Sequence, residues 1–330
     1  MAHFLDGTTE DRPGLAVGLM LSGLMILAVQ DALARMAGEH ISFWQFQAMR
    51  ASCNVLFFLG FAGIFMGGLP RRPNNLTAVL ARCLMMVIAT FFFFGGIPKV
   101  TIVEMAAGLY TFPIFVTVLS ALFLGERVGI RRISAVLVGA TGAALILQPG
   151  SEDFSLIKLM PIGAGLGYAG NVIITRRWCR GENAITLAMV QAFCFIAVGI
   201  IGMIYLGFFP ASESARATFP FLTHGWEWAA AWVFGITVIC SLFNASGNVM
   251  LTKAYQSAES SWLAPFDYSY LIFASIAGIV FFATVPGLWQ IVGMALIAAS
   301  GAFTAWRERK LKEQLAQDLG TKLPPPGTRA

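Results

Sequence analysis

The sequence predicts an all-α membrane protein of ten transmembrane helices, arranged as two inverted five-helix repeats. Three observations carry the prediction: an apolar composition poor in charge, ten apolar segments of spanning length, and basic residues gathered in alternate loops. Hydrophobic residues make up 57% of the 330 and charged residues 12%, against roughly 25% charged in a soluble domain. So few charges cannot cover a water-soluble fold of this size, and a bilayer supplies the apolar solvent instead.

A spanning helix needs about 20 mainly apolar residues. Residues 1–13 read as a polar cytoplasmic segment without a cleavable leader. Spanning segments follow over 14–36, 43–66, 76–97, 100–122 and 130–148, then over 157–176, 184–207, 228–250, 260–283 and 287–306. Turn-forming and basic strings punctuate them: GGLPRRPNN (67–75), GERVGIRR (125–132), QPGSED (148–153) and RRWCRGEN (176–183). Lys99, Glu104 and Asn244 dilute the segments at 100–122 and 228–250. The FFFF run at 91–94 is expected to face lipid, and Trp226, Trp228 and Trp289 to sit at the interface. Residues 307–330 read as a helical extension in the cytoplasm that gives way to disorder.

Loop charge tests the count of ten. With both termini in the cytoplasm, that side collects 16 of the 22 basic residues, including Arg71, Arg72, Arg127, Arg131, Arg132, Arg176, Arg177, Arg180, Lys253 and six in the tail. The opposite face receives Arg35, Lys99, Lys158 and Arg216. The asymmetry follows the positive-inside rule, as expected for a multi-pass inner-membrane protein.

The chain also repeats. Residues 108–147 contain Pro113, then LFLGE and VGATGAALI; residues 264–303 contain Pro265, then VFFAT and VGMALIAASG. Each block reads as a proline-containing helix, a tight turn and a Gly/Ala-rich helix. This divides the chain into units 14–149 and 150–306. Five is an odd number of spans, so the second unit enters the bilayer upside down, an arrangement many secondary transporters share.

Charges inside the hydrocarbon cost at least about 2.5–3.5 kcal/mol, so they face the bundle interior and tend to be functional. Asp31, Arg50, Glu104 and Asp267 are such residues, with Tyr110, Tyr168, Asn171, Asn244, Trp262 and Tyr268 as polar or amphipathic companions. Asp31 and Arg35 stand one turn apart and can pair on one face. Arg50 can serve as counter-ion to Asp31 or Glu104, as a structural pair fixing helix register, or as an anchor for a carboxylate or phosphate, which its planar fork suits. Asp267 follows Pro265, whose ring frees a backbone carbonyl one turn earlier, a break tolerated beside protein or a water-filled cavity. A carboxylate there can bind a cation or carry a proton. Arg82, nearer the cytoplasm, is expected to snorkel to the interface.

Other classes find little support. Cys53, Cys83, Cys179, Cys194 and Cys240 lie in or at the ends of apolar stretches without metal-ligand spacing, and read as small core residues. His3, His40 and His224 fall in terminal or loop positions, with no catalytic set or phosphate-cradling glycine loop. No cofactor and no nucleic-acid partner are expected; the partners are a small-molecule substrate and membrane lipid, with monomer and homodimer both open. A membrane-embedded transferase or a channel-like facilitator is the alternative to a carrier.

Several strings then stand together: VQDALAR (29–35), FWQFQAMR (43–50), VEMAAGLYTFPIFVTVLSALFLGERVGIRR (103–132), GLGYAGNVIITRR (165–177) and APFDYSYLIFASIAGIVFF (264–282). Over nearly all of residues 14–306 the chain resembles the drug/metabolite transporter superfamily, in particular its EamA-type ten-helix members and the subgroup with S-adenosylmethionine and riboflavin importers. The most specific pieces are Pro113 to Glu126 and APFDY (264–268). Thr284 departs from the pattern, standing where many relatives keep a helix-end glutamate. The resemblance implies a proton-linked, exchange or facilitated carrier with a central site between the halves, and no particular substrate.

Overall fold

A computed structural model describes residues 13–65, 72–97, 99–125, 130–152, 154–179, 181–257 and 260–322. Glu126, Arg127 and Arg180 lie outside the described residues. Among the described residues every regular element is a helix: α1 (Pro13–Ala37), α2 (Phe43–Phe65), α3 (Leu76–Phe94), α4 (Ile102–Leu109), α5 (Phe112–Leu124) and α6 (Ile130–Leu147) form the first half. The second half contains α7 (Met160–Trp178), α8 (Ala184–Phe208), α9 (Ala231–Ser257), α10 (Ser260–Asp267), α11 (Ser269–Phe282) and α12 (Leu288–Lys322). Two short helices, Glu213–Thr218 and Pro220–Thr223, fill the loop before α9. Among the described residues, seven helices are long and apolar enough to cross a membrane, and Ile133–Leu147 and Leu288–Thr304 are shorter apolar helices.

Two of the expected spans are broken. One is α4 with α5, the other α10 with α11. α5 ends at Gly125 and α11 at Ala283, both in the left-handed conformation (φ 68° and 52°). One shift relates the two regions: it carries the start and end of α4 onto α10, the end of α5 onto that of α11, and the start of α6 onto α12. The same shift sets Tyr110-Thr111-Phe112 on Tyr268-Ser269-Tyr270 at the breaks. Pro113 and Pro265 are therefore not equivalent, contrary to the sequence expectation. Pro113 stands in the first turn of α5, where a missing N–H is harmless, whereas Pro265 lies inside α10.

Packing between the halves follows the same exchange. α1 lies against α9 as α7 lies against α3; α11 contacts α1 as α5 contacts α7; α2 meets α9 as α8 meets α3; α2–α8 and α6–α12 pair each element with its own counterpart, and α4–α11 joins the two broken spans. Small residues permit the closest crossings. A Cβ on Gly142 would sit 2.7 Å from the carbonyl oxygen of Gly293, and one on Gly293 2.5 Å from that of Gly142. Gly23 and Gly247 face each other's carbonyls in the same reciprocal way where α1 crosses α9. At the chain's outer ends, Trp44 Nε1 donates to the Leu222 carbonyl (2.8 Å) and Gln45 pairs twice with the backbone of Glu227. Glu182 accepts from the backbone amides of Asn74 and Asn75.

Three expectations are corrected here. Phe93 and Phe94 are buried rather than lipid-facing, because the end of α3 packs edge-on against Phe46 of α2 and beneath Phe221 and Leu222 of the loop helix. α9 continues past residue 250 to Ser257 and draws in Lys253, which is 4% exposed. Thr252 and Ser257 return their hydroxyls to carbonyls four residues earlier, so these polar residues are satisfied within the helix. Arg82 turns inward, its Nε donating to Thr175 Oγ1 at 2.9 Å. Trp226, Trp228 and Trp289 are exposed, as an interfacial belt requires.

Candidate functional site

A helix break leaves end carbonyls without intrahelical donors. At the end of α10 the carbonyl of Asp267 accepts from Tyr110 Oη of the other half at 2.7 Å, so one broken span satisfies the other. Around that bond the aromatic rings join. Tyr110 stacks on Tyr270 (5.9 Å, 27°), lies 5.3 Å from Tyr268 and 6.1 Å from Phe112, and Phe112 meets Tyr168 of α7 edge-on. The Asp267 side chain is partly accessible, and its carboxylate makes no hydrogen bond or ion pair with a described residue.

Tyr270 ties this cluster to a second polar group. Its hydroxyl donates to Asp31 Oδ2, and Gln30 Nε2 donates to Asp31 Oδ1 at 2.7 Å. Asn244 of α9 donates to Gln30 Oε1 at 3.1 Å. Beside them Ser241 sits 2.7 Å from Asn54 Oδ1 and 3.0 Å from the Arg50 carbonyl, joining α9 to α2. Arg50 is 7% exposed; its guanidinium lies between the rings of Phe46 and Phe195, 5.7 and 5.8 Å away, and its Nε is buried without an acceptor.

The structure thus brings together Asp31, Tyr110, Tyr168, Asn244, Asp267 and Tyr268, with Arg50 alongside. Glu104 does not join them. It closes a capping box at the start of α4, accepting from Thr101 N (2.8 Å) and Oγ1 (2.9 Å), and pairs with Lys158 at 2.9 Å. The expected Arg50–Glu104 pair is therefore replaced by a cap, which fixes where α4 begins. Asn171 belongs to a separate group between α7 and α3, donating to the Arg82 carbonyl at 3.0 Å. Trp262 stands in α10, but its side chain lies outside the described set. One residue of the site, Gln30, escaped the sequence reading, whereas Tyr270 is among the aromatics that the sequence marks as able to line a cavity and is the second-half counterpart of Phe112 in the YTF and YSY triplets.

Residues 14–148 match the EamA-like transporter family. This match and the relatives that follow support an EamA-type member of the drug/metabolite transporter superfamily. That is a family of transporters, not of enzymes. Over 209 residues it is 29% identical to a riboflavin transporter of Vibrio cholerae, a match spanning 62% of this chain and 63% of that protein. It is 22% identical to an S-adenosylmethionine uptake transporter of Rickettsia bellii, across 90% of this chain and 95% of the relative. A solved crystal structure superposes with a TM-score of 0.59 at 13% identity, covering 89% of this chain and 98% of that one, which establishes a shared fold. The paired mid-span breaks, with acidic and aromatic side chains between them, form the candidate site.

Proposed function

We propose that the protein is a secondary carrier that moves a small organic metabolite across the bacterial inner membrane by alternating access, driven by a proton or substrate gradient. The observation that carries this reading is the meeting of the two broken spans at Tyr110 and Asp267, within an apolar bundle, around a carboxylate that no described residue satisfies. Intramembrane ionisable groups and discontinuous helices characterise substrate and ion sites. The common shift of the helix boundaries and the exchangeable packing of the halves support an inverted five-helix repeat over 14–149 and 150–306. The rocking of one repeat against the other would expose the site to each side in turn.

The purified protein in proteoliposomes tests this, with radiolabelled S-adenosylmethionine and riboflavin as first probes because similar proteins carry those names. Saturable uptake with trans-stimulated counterflow is the expected result. Flux linear in concentration without counterflow would instead mark a channel-like facilitator. Orientation is part of the proposal: both termini lie in the cytoplasm. A fluorescent reporter that matures only in the cytoplasm should be bright when fused after residue 330, and a periplasm-dependent enzyme fused there should be inactive. The opposite pair of results overturns the orientation.

A further inference from the structure

Gln45 stands three residues after Ser42, whose hydroxyl accepts from the Gln45 amide (3.2 Å) at the start of α2. In that position a glutamine can fold back onto its own helix end, as Glu104 does at α4. Here it reaches across to the other half instead. Its Nε2 donates to the Glu227 carbonyl at 2.9 Å and its Oε1 accepts from the Glu227 amide at 3.0 Å. Beside it Trp44 donates to the Leu222 carbonyl, and Phe221 and Leu222 are buried in one cluster with Phe43, Phe93 and Phe94. The start of α8, the counterpart of α2, makes the reciprocal contact. Glu182 accepts from the backbone amides of Asn74 (3.1 Å) and Asn75 (2.8 Å) and from the Asn74 side chain (3.3 Å), just before α3, the counterpart of α9. In the ten-span arrangement the two contacts stand at opposite faces of the membrane.

Resting on the carrier reading above, we propose that these contacts are reciprocal latches. Trp44 and Gln45 hold the segment 222–227 across one end of the bundle, Glu182 holds Asn74 and Asn75 across the other, and each releases while the other holds. Both join one repeat to the other, so a rocking motion that opens either face must break the bonds there. Their chemistry suits repeated breaking. At a membrane face water replaces a lost partner, so each hydrogen bond contributes little net stability and parts readily. The crossing of Gly142 with Gly293, where backbone meets backbone, offers no such exchange. The latches also differ in depth. Gln45 is fully buried, under a loop whose apolar residues fill the space above it, whereas Asn74 and Asn75 are exposed. The face carrying the chain termini is therefore the one released more readily.

A cysteine at Ser269, in the break between α10 and α11, reports which face is open. Ser269 is half-buried and its hydroxyl bonds to no described residue. Labelling of the full-length Ser269→Cys protein by a charged methanethiosulfonate is measured in sealed vesicles of either orientation, above the rate of the parent with its native cysteines. The face carrying the termini should give the faster reaction, and a slower one there would refute the order of release. Glu182→Ala should speed labelling from that face by about fivefold or more and slow it from the other; Gln45→Leu should do the reverse. Trp44→Phe keeps a ring but loses the donor. It should act in the same direction as Gln45→Leu, by about twofold or more, and decides the matter if Gln45→Leu does not fold. Unchanged rates overturn the latches, as does a variant that speeds labelling from both faces and so merely loosens the bundle. Reciprocal shifts without saturable uptake of either labelled probe would keep the latches and count against the carrier reading. Saturable uptake with counterflow but no reciprocal shift would keep the carrier reading and remove the latches.

Discussion

Asp267→Asn should abolish accumulation of substrate against its gradient while counterflow between two loaded compartments persists. A partly accessible carboxylate with no partner among the described residues, inside an apolar bundle, either holds a proton or awaits a cation. If it carries the coupling proton, asparagine removes the carrier of that proton and leaves the half-cycles of exchange intact. If it instead receives a cationic group of the substrate, counterflow and accumulation fall together and binding weakens at every pH. A structural role would show first as lost expression or melting temperature. Uptake, counterflow and thermal unfolding on one preparation separate these outcomes, and wild-type behaviour in all three removes Asp267 from the mechanism. Its counterpart under the common shift of helix boundaries is Leu109, so only one of the two broken spans carries a carboxylate at this point.

Gly293→Leu should destabilise the fold by about 2 kcal/mol or more, because the new side chain meets backbone rather than a movable side chain. The Cβ alone would stand 2.5 Å from the Gly142 carbonyl oxygen, so α6 and α12 must separate and lose contact along the crossing. Gly235→Ala provides the comparison, since a Cβ there meets nothing within 4 Å. Thermal unfolding in detergent should drop by several degrees for the first variant and remain unchanged or rise slightly for the second. Equal melting temperatures would show that the α6–α12 crossing adapts without cost.

Much of the bundle was legible because hydropathy is strong over about 20 residues. The segments expected at 43–66, 184–207 and 260–283 fall within a residue of α2, α8 and the pair α10–α11. Where polar residues sit inside a helix the same signal stops short, as at α9, because it does not register hydroxyls that bond back to their own helix. The aromatic run at 91–94 misled for a related reason: apolar character tells that a side chain avoids water but not whether lipid or protein receives it. Asp31, Tyr110, Asn244, Asp267 and Tyr268 were readable from their cost in the bilayer. Glu104 carried the same signal and was spent on a cap, a role betrayed only by Thr101 three residues before it. The common shift of the helix boundaries was hidden by the prolines, which draw the eye to non-equivalent positions while the YTF and YSY triplets follow it.

The dependence of each half on the other has a consequence for biogenesis. Asp31 and the tyrosine that holds it are separated by 239 residues, and Gln30 waits for Asn244 across 214. At about 5–20 residues per second, a ribosome needs roughly ten to fifty seconds to supply the missing partner. Through that interval the segments already made sit in the bilayer with a carboxylate, an arginine and a seam of close-packing glycines that their later partners do not yet cover, each charge costing a few kcal/mol if it faces lipid. The nascent bundle must therefore be sheltered by the insertion machinery or let its polar side chains reach the headgroups until α9 and α11 arrive. A chain interrupted before α9 would keep that seam open permanently, giving membrane quality control a lasting feature by which to tell it from the finished protein.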